Sequence, residues 1–274
     1  MSYRTILVHV EPGSGSDARV RLAVEVAAMF DATVIGLGAE AFYPVFSSGF
    51  AVANGAMIET MRERVIADLP IAEQRFRDLA SGVQAGVRWI GGLDFPAKEL
   101  ALHARAADLI VASRPHKHVS SAFAPSPPDL VMEAGAPVLF AAEPSAPLIA
   151  ERVVVGWKDT RESRRALTDS LPLLKRARHV TVVEIEDDPR ASTLGGGLKE
   201  ITERLSRHGV RVETETVARS KATIADDLEH AAARHGADVI VTGAYGHARL
   251  REWMLGGVTE DLLATSSKCV LFSH

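Results

Sequence analysis

Apolar residues along the chain gather in short, nearly continuous runs, and the stretches between them repeat their apolar positions at helical spacing. The runs within "RTILVHVE" (4–11), "DATVIGLGAE" (31–40), "AGVRWI" (85–90), "ARAADLIVAS" (104–113) and "APVLF" (136–140) are rich in β-branched residues. Such runs read as strands buried on both faces of a sheet. "SDARVRLAVEVAAMF" (16–30) opens on Ser or Asp and keeps a helical apolar stripe, and "KELALHARAA" (98–107) reads the same way.

The five runs recur in the same order as "ERVVVGWK" (151–158), "HVTVVEIEDD" (179–188), "HGVRVE" (208–213), "ARHGADVIVTG" (233–243) and "KCVLF" (268–272). Five ordered matches mark a tandem duplication. "RESRRALTDSLPLLKRA" (161–177) predicts a helix running past Pro172, and "TIADDLEHAAARHG" (223–236) matches 98–107. Strand alternating with helix in both halves predicts an α/β fold. It is expected to comprise two tandem doubly wound parallel five-stranded sheets, order 3-2-1-4-5, with helices on both faces. The first domain is expected over 1–143 and the second over 151–274, joined by the proline-bearing linker "AAEPSAPLIAE" (141–151).

The halves differ in length. From Thr33 to Gly86 the chain takes 53 residues, and from Thr181 to Gly209 only 28. The excess, an insertion at about 41–65, contains "AFYPVFSSGFAVANGAM" (41–57), which is aromatic, small and nearly uncharged. It reads either as a loop folded on the protein or as a lid or apolar ligand contact.

With 47% hydrophobic and 24% charged residues, the composition is that of a globular protein. Net charge is −4, and neither half has the basic excess that gripping nucleic acid requires. No window approaches the roughly 18 apolar residues of a membrane span. "MSYRTILVHVEPGSGSD" turns polar too early for a signal segment, and Cys269 has no disulfide partner. The expected location is the cytoplasm, with no nucleic-acid or membrane partner.

The richest chemistry lies in "GAYGHARLREWMLGGVT" (243–259), directly after the second half's fourth strand. Ligands of a doubly wound sheet bind beyond the carboxyl ends of its strands, where the order reverses. Gly243 and Gly246 would adopt positive φ and bring backbone N–H groups to a ligand, while Gly256 and Gly257 open a helix whose start suits phosphate. Gly-x-x-Gly, nine residues, then Gly followed by Val-Thr resembles the nucleotide signature of the universal stress protein family, and the likeness runs through both repeats.

That resemblance implies binding of ATP, or ADP or AMP, with Mg²⁺. It implies phosphate contacts at Gly243, Gly246, Gly256 and Gly257, and His247 near the ribose or phosphates. Thr242 would edge the base pocket, and Val258 with Thr259 would begin the helix. Two positions depart from the family pattern. Gly257 replaces a Ser or Thr, and Lys158 stands where an aspartate reads adenine, with Trp157 before it and Asp159 after it. One hydrogen bond lost to a phosphate costs about 1.5–3 kcal/mol, tenfold to hundredfold in affinity. Lys158 as a phosphate contact and Trp157 stacked on the base would offset this. Family members also pair their last strands across a dimer. Here "PVLF" and "CVLF" would satisfy that pairing internally as a pseudo-dimer, with a homodimer through the insertion as the alternative.

In the first half, "SRPHKHVSSAFAPSPPDLVM" (113–132) puts Ser113 and His116 where Gly243 and Gly246 stand, and Pro125 in place of Gly257. This half reads as a degenerate, structural copy. "GSGSDA" (13–18), with Glu40 beyond it, fits a dinucleotide pattern, but Ser14, Ser16 and Asp17 suit a turn and helix cap. "LGGGLKE" (194–200) lacks a Walker A arrangement, and His116 with His118 lack further metal ligands. Asp226, Asp227 and Glu229 read as a solvated helix face, and Arg249 and Arg251 as phosphate contacts or exposed charges.

No catalytic set is recognisable. The functional classes left open are a nucleotide-binding regulator, a nucleotide-free interaction module, and a slow nucleotide hydrolase.

Overall fold

Each apolar run forms a strand, and the strands divide between two compact units. The structure is a computed structural model that describes residues 2–40, 55–114, 126–142, 146–186, 196–246 and 257–274. The unit Tyr3–Ala134 contains β1 (Thr5–Val10), α1 (Asp17–Phe30), β2 (Thr33–Ala39), α2 (Gly55–Leu79) and β3 (Val87–Gly92). It continues with α3 (Pro96–Ala104), β4 (Leu109–Ala112) and α4 (Pro127–Glu133). Its parallel strands run β3-β2-β1-β4. Residues 6–10 of β1 are all buried, as a central strand covered on both faces requires.

Two glycines of β2 make room for the core of this unit. A Cβ on Gly36 would stand 2.7 Å from the Phe76 ring, and one on Gly38 would stand 2.6 Å from the Trp89 ring. Those rings pack with centroids 5.7 Å apart. Part of the predicted insertion is a longer helix. α2 has 25 residues, while its counterpart α7 has 12, and residues 41–54 lie outside the described residues.

The unit Gly135–His274 contains β5 (Val138–Phe140), β6 (Arg152–Trp157), α5 (Arg161–Asp169), α6 (Leu171–Arg176), β7 (His179–Glu186) and α7 (Gly196–Arg207). After these come β8 (Val212–Ala218), α8 (Ile224–His235), β9 (Val239–Gly243), α9 (Gly257–Thr265) and β10 (Cys269–Ser273). The order is β5-β10-β9-β6-β7-β8, parallel except for β5 against β10.

The expectation of two separate five-stranded sheets is corrected here. The strands belong to one mixed ten-stranded order, β3-β2-β1-β4-β5-β10-β9-β6-β7-β8, although 3-2-1-4-5 survives within each repeat. The cause lies in β5 and β10. "VLF" and "CVLFS" are wholly buried, and a buried strand edge needs its N–H and C=O groups paired. Val138, Leu139 and Phe140 therefore pair antiparallel with Phe272, Leu271 and Val270, and the Phe140 and Phe272 rings meet edge to face at 5.9 Å.

Two local expectations change as well. The helix predicted over 161–177 breaks at Ser170, and Pro172 falls in the first turn of α6, where its missing N–H is harmless. The acidic residues of α8 are not a solvated face. Asp226 and Thr223 form a capping box, buried Asp227 accepts from Ser220, and Glu229 accepts from Ser266 and Ser267.

The repeats also keep one fastening in common. Asp108 Oδ2 accepts the backbone N–H groups of Arg4 (2.7 Å) and Thr5 (2.9 Å) at the start of β1. Asp238 Oδ2 accepts those of Ile149 and Ala150, both at 2.8 Å, ahead of β6.

Candidate functional site

In the Gly135–His274 unit, β6 has β9 on one side and β7 on the other, so the strand order reverses between β6 and β9. Residues 153–156 of β6 run parallel to 239–242 of β9, which brings the carboxyl ends of both strands together. The site can be built from what leaves those ends.

From β9 come Thr242 and Gly243, followed by Ala244, Tyr245 and Gly246. Thr242 is buried, and its hydroxyl donates to the Gly243 carbonyl at 3.3 Å. The backbone of Ala244 is fixed by the last strand, its N–H donating to the Ser273 carbonyl at 2.9 Å, and its carbonyl accepting from His274 Nδ1 at 3.0 Å. The left-handed residue of this turn is Tyr245 (φ 51°), not a glycine. Gly243 answers a need for space instead. A Cβ there would lie 2.6 Å from Glu162 C and Ser163 N, the backbone of the first turn of α5. Among the described residues, the atom nearest a Cβ on Gly246 would be Glu162 Oε2, at 3.5 Å.

From β6 come Trp157, Lys158 and Asp159. Trp157 is buried, in register with Glu184 of β7. Lys158 is exposed. Asp159 is exposed and held by Arg164, whose Nη2 and Nε lie 2.5 and 3.0 Å from Oδ1. Thr160 then caps α5, its hydroxyl accepting the Ser163 N–H at 3.3 Å.

α9 begins at Gly257, followed by half-buried Val258 and buried Thr259. Among the described residues, the nearest atom to a Cβ on Gly257 would be Asp261 Oδ2, at 3.9 Å. His247 and Gly256 lie outside the described residues, as do Arg249, Arg251, His116, His118 and Pro125.

Sequence reasoning missed the carboxylates around these turns. Glu162 is buried beneath the glycine turn. Glu184, at the end of β7, has its pKa raised by burial and then by the negative charges of Glu186 and Asp159. The run "EIEDD" was a visible signal for the second group. Glu162 had none, because only the fold lays α5 across β9. Among the described residues, no group of three or more His, Cys, Asp or Glu is arranged to hold a metal ion, and no helix is long and apolar enough to cross a membrane.

The glycine pattern near residue 13 also has a structural explanation. Gly13 is left-handed (φ 84°), the Ser16 hydroxyl donates to the Glu11 carbonyl at 3.3 Å rather than capping α1, and Asp17 binds Arg75 through both oxygens.

Comparison with known proteins gives a consistent placement. Residues 150–274 match the universal stress protein family. No curated protein matches the sequence. A universal stress protein from Archaeoglobus fulgidus DSM 4304 shares the fold at a TM-score of 0.71 and 14% identity, over 98% of this chain and 95% of that one. A protein described as a universal stress protein from Pseudomonas aeruginosa UCBPP-PA14 does so at 0.62 and 16%, over 99% and 93%. The universal stress protein from Archaeoglobus fulgidus solved in complex with dAMP covers 46% of this chain and 98% of its own, at 21% identity and a TM-score of 0.36.

Proposed function

We propose, from the premise that the chain belongs to the universal stress protein family, that it is a regulatory protein binding an adenine nucleotide, ATP in the first instance, in its C-terminal half. The observation that carries this reading is the placement of the Gly243–Gly246 turn. It leaves β9 beside the end of β6, where the strand order reverses and a doubly wound sheet accepts its ligands. Among the described residues none crowds the side of Gly246 where a side chain would stand, and α9 offers a helix start at Gly257. Exposed Lys158 at the end of β6 supplies a positive charge that can swing to a phosphate.

The carboxylates favour one form of the ligand. Glu162 and Asp261 each approach a glycine of the motif, so a bare triphosphate would meet negative charge at both turns. The magnesium complex fits better, because it arrives partly neutralised. On the base side, Trp157 is buried and Asp159 is engaged by Arg164, so reading of the base falls to Thr242, to backbone groups and to the carboxylate of Glu184. This combination supports a binding and sensing role, with nucleotide occupancy altering contacts to other proteins.

A second reading, a nucleotide-free interaction module, is favoured by one observation: Gly243 is required for packing against α5, whatever binds nearby. Calorimetric titration with Mg-ATP separates the two. The wild type should bind, and the double variant Gly246→Val with Gly256→Val should lose at least tenfold in affinity. Equal affinity in both proteins would remove nucleotide from this site.

A further inference from the structure

The first repeat has a crevice at the same place in its own sheet, between the ends of β1 and β4, and that crevice contains the side chain of Arg19. Arg19 is 3% exposed. Its Nε donates to the His9 carbonyl near the end of β1 at 2.6 Å, and one terminal nitrogen donates to Ser113 Oγ, just past β4, at 2.8 Å. The other terminal nitrogen lies 3.1 Å from Glu11 Oε1 and 3.4 Å from His9 Nδ1. His9 is fully buried, and its Nε2 faces the Ala39 carbonyl at 3.4 Å. That contact uses the Nε2–H tautomer and leaves Nδ1 as an acceptor for the guanidinium. One carbonyl, an imidazole nitrogen, a hydroxyl and a carboxylate thus converge on one planar cation, which is how a bound guanidinium is recognised.

The duplication provides an internal comparison. In the ungapped alignment of the repeats, His9 stands opposite Gly156, Glu11 opposite Lys158 and Arg19 opposite Ala166, and by the strand match Ser113 stands opposite Gly243. Every member of the cluster is absent from the second repeat, and the charge at the end of the first strand is reversed. In the second repeat Gly243 offers no side chain; the Thr242 hydroxyl donates to its carbonyl, and the Glu162–Ser163 turn of α5 packs against its Cα.

We propose that Arg19 is a permanent internal occupant of the first crevice: this repeat is a guanidinium receptor filled by its own chain, and it takes no nucleotide. The inference goes beyond the nucleotide reading of the second half and does not depend on it. Burial of His9 and the adjacent Arg19 charge hold the imidazole pKa down at about 3, so the acceptor set is constant throughout the physiological range.

The test is chemical rescue. Arg19→Ala should melt below the wild type, and millimolar methylguanidinium should raise its melting temperature by several degrees. Equal concentrations of methylammonium or sodium chloride should not, and the wild type should show no such gain. Identical responses of variant and wild type to methylguanidinium would overturn the proposal. Should Arg19→Ala fail to fold, wild-type protein with ¹⁵N-labelled arginine decides the matter. One Nε–H signal should exchange slowly with solvent and vanish in Arg19→Lys, and rapid exchange at every arginine would refute the closed clamp. In Mg-ATP titrations, a second equivalent bound by the wild type would also overturn the proposal, whereas absence of all binding would count against the C-terminal site alone.

Discussion

Replacing Gly243 by Ala separates the packing of the motif from its chemistry. The added methyl would stand 2.6 Å from Glu162 C and Ser163 N and 2.8 Å from Glu162 Cβ. Contact distances between such atoms are about 3.5–4.0 Å, so roughly an ångström must be recovered. Two of the three atoms are helix backbone, and no rotamer change can move them. α5 must shift on β9, which disturbs the Thr160 cap and the buried side chains of Glu162 and Ser163. Overpacking of this kind costs about 1–3 kcal/mol. Among the described residues, Gly246→Ala meets only a carboxylate oxygen at 3.5 Å, an ordinary contact at the end of a movable side chain. Its effect should stay within about 0.5 kcal/mol, the usual range for a benign substitution. With a urea slope of roughly 2–3 kcal/mol/M, Gly243→Ala should lower the midpoint by about 0.3–1.5 M, and Gly246→Ala should leave it nearly fixed. Far-UV circular dichroism follows both. Equal midpoints for Gly243→Ala and wild type would show that α5 does not rest on this glycine. Because Gly243 is needed for the fold, nucleotide affinity has to be judged at Gly246.

Asp238→Ala should destabilise by about 1–2 kcal/mol, since the two amides ahead of β6 lose a charged acceptor that water replaces only in part; Asp108→Ala, at a more exposed site, should cost less, and urea midpoints of the two variants check the order. Asp17 is paired through both oxygens with Arg75, and that pairing lowers its pKa below the ordinary 3.8. A depressed carboxylate contributes stability above its unfolded pKa and loses it as pH falls through the folded value. The stability gap between wild type and Arg75→Leu should therefore be widest above about pH 5 and close as the pH drops below about 3. A gap that does not change in acid-denaturation curves would exclude the pair as its source.

The sheet order was legible because it rests on redundancy: five apolar runs written twice, each too short and too β-branched for a helix. What the sequence did not reveal depends on partners far along the chain. The internal pairing of "VLF" with "CVLFS", which the structure bears out, was expected from the family resemblance alone, because nothing within either strand says that the other covers its edge. Asp227 and Glu229 carry the charge pattern of a solvated helix face. Burial and the serines at 220, 266 and 267 became apparent only with tertiary structure. The glycine motif was legible as a pattern, but the reason for Gly243 was not. A glycine kept for a ligand and a glycine kept for a helix leave the same letter, and positive φ in this turn falls to Tyr245.

The two crevices show how a duplicated scaffold can diverge without losing its topology. Both repeats keep the parallel β1–β4 and β6–β9 pairing that opens a crevice at their carboxyl ends. An open crevice exposes the last carbonyls and side chains of two central strands, and these need partners if they are buried. A ligand can supply the partners, but then the repeat is fully satisfied only when loaded. Arg19 supplies them from α1 at all times, in one hydrogen-bonded set with Ser113, Glu11 and the His9 carbonyl. A half closed in this way gains nothing from a nucleotide, so its fold is independent of nucleotide supply. The other half has Ala166 where Arg19 stands and Lys158 where Glu11 stands, so no arginine reaches over from the matching position. On the proposed nucleotide reading, Mg-ATP should consequently protect the C-terminal half alone against thermal unfolding or hydrogen exchange, and equal protection of both halves would refute this division between the repeats.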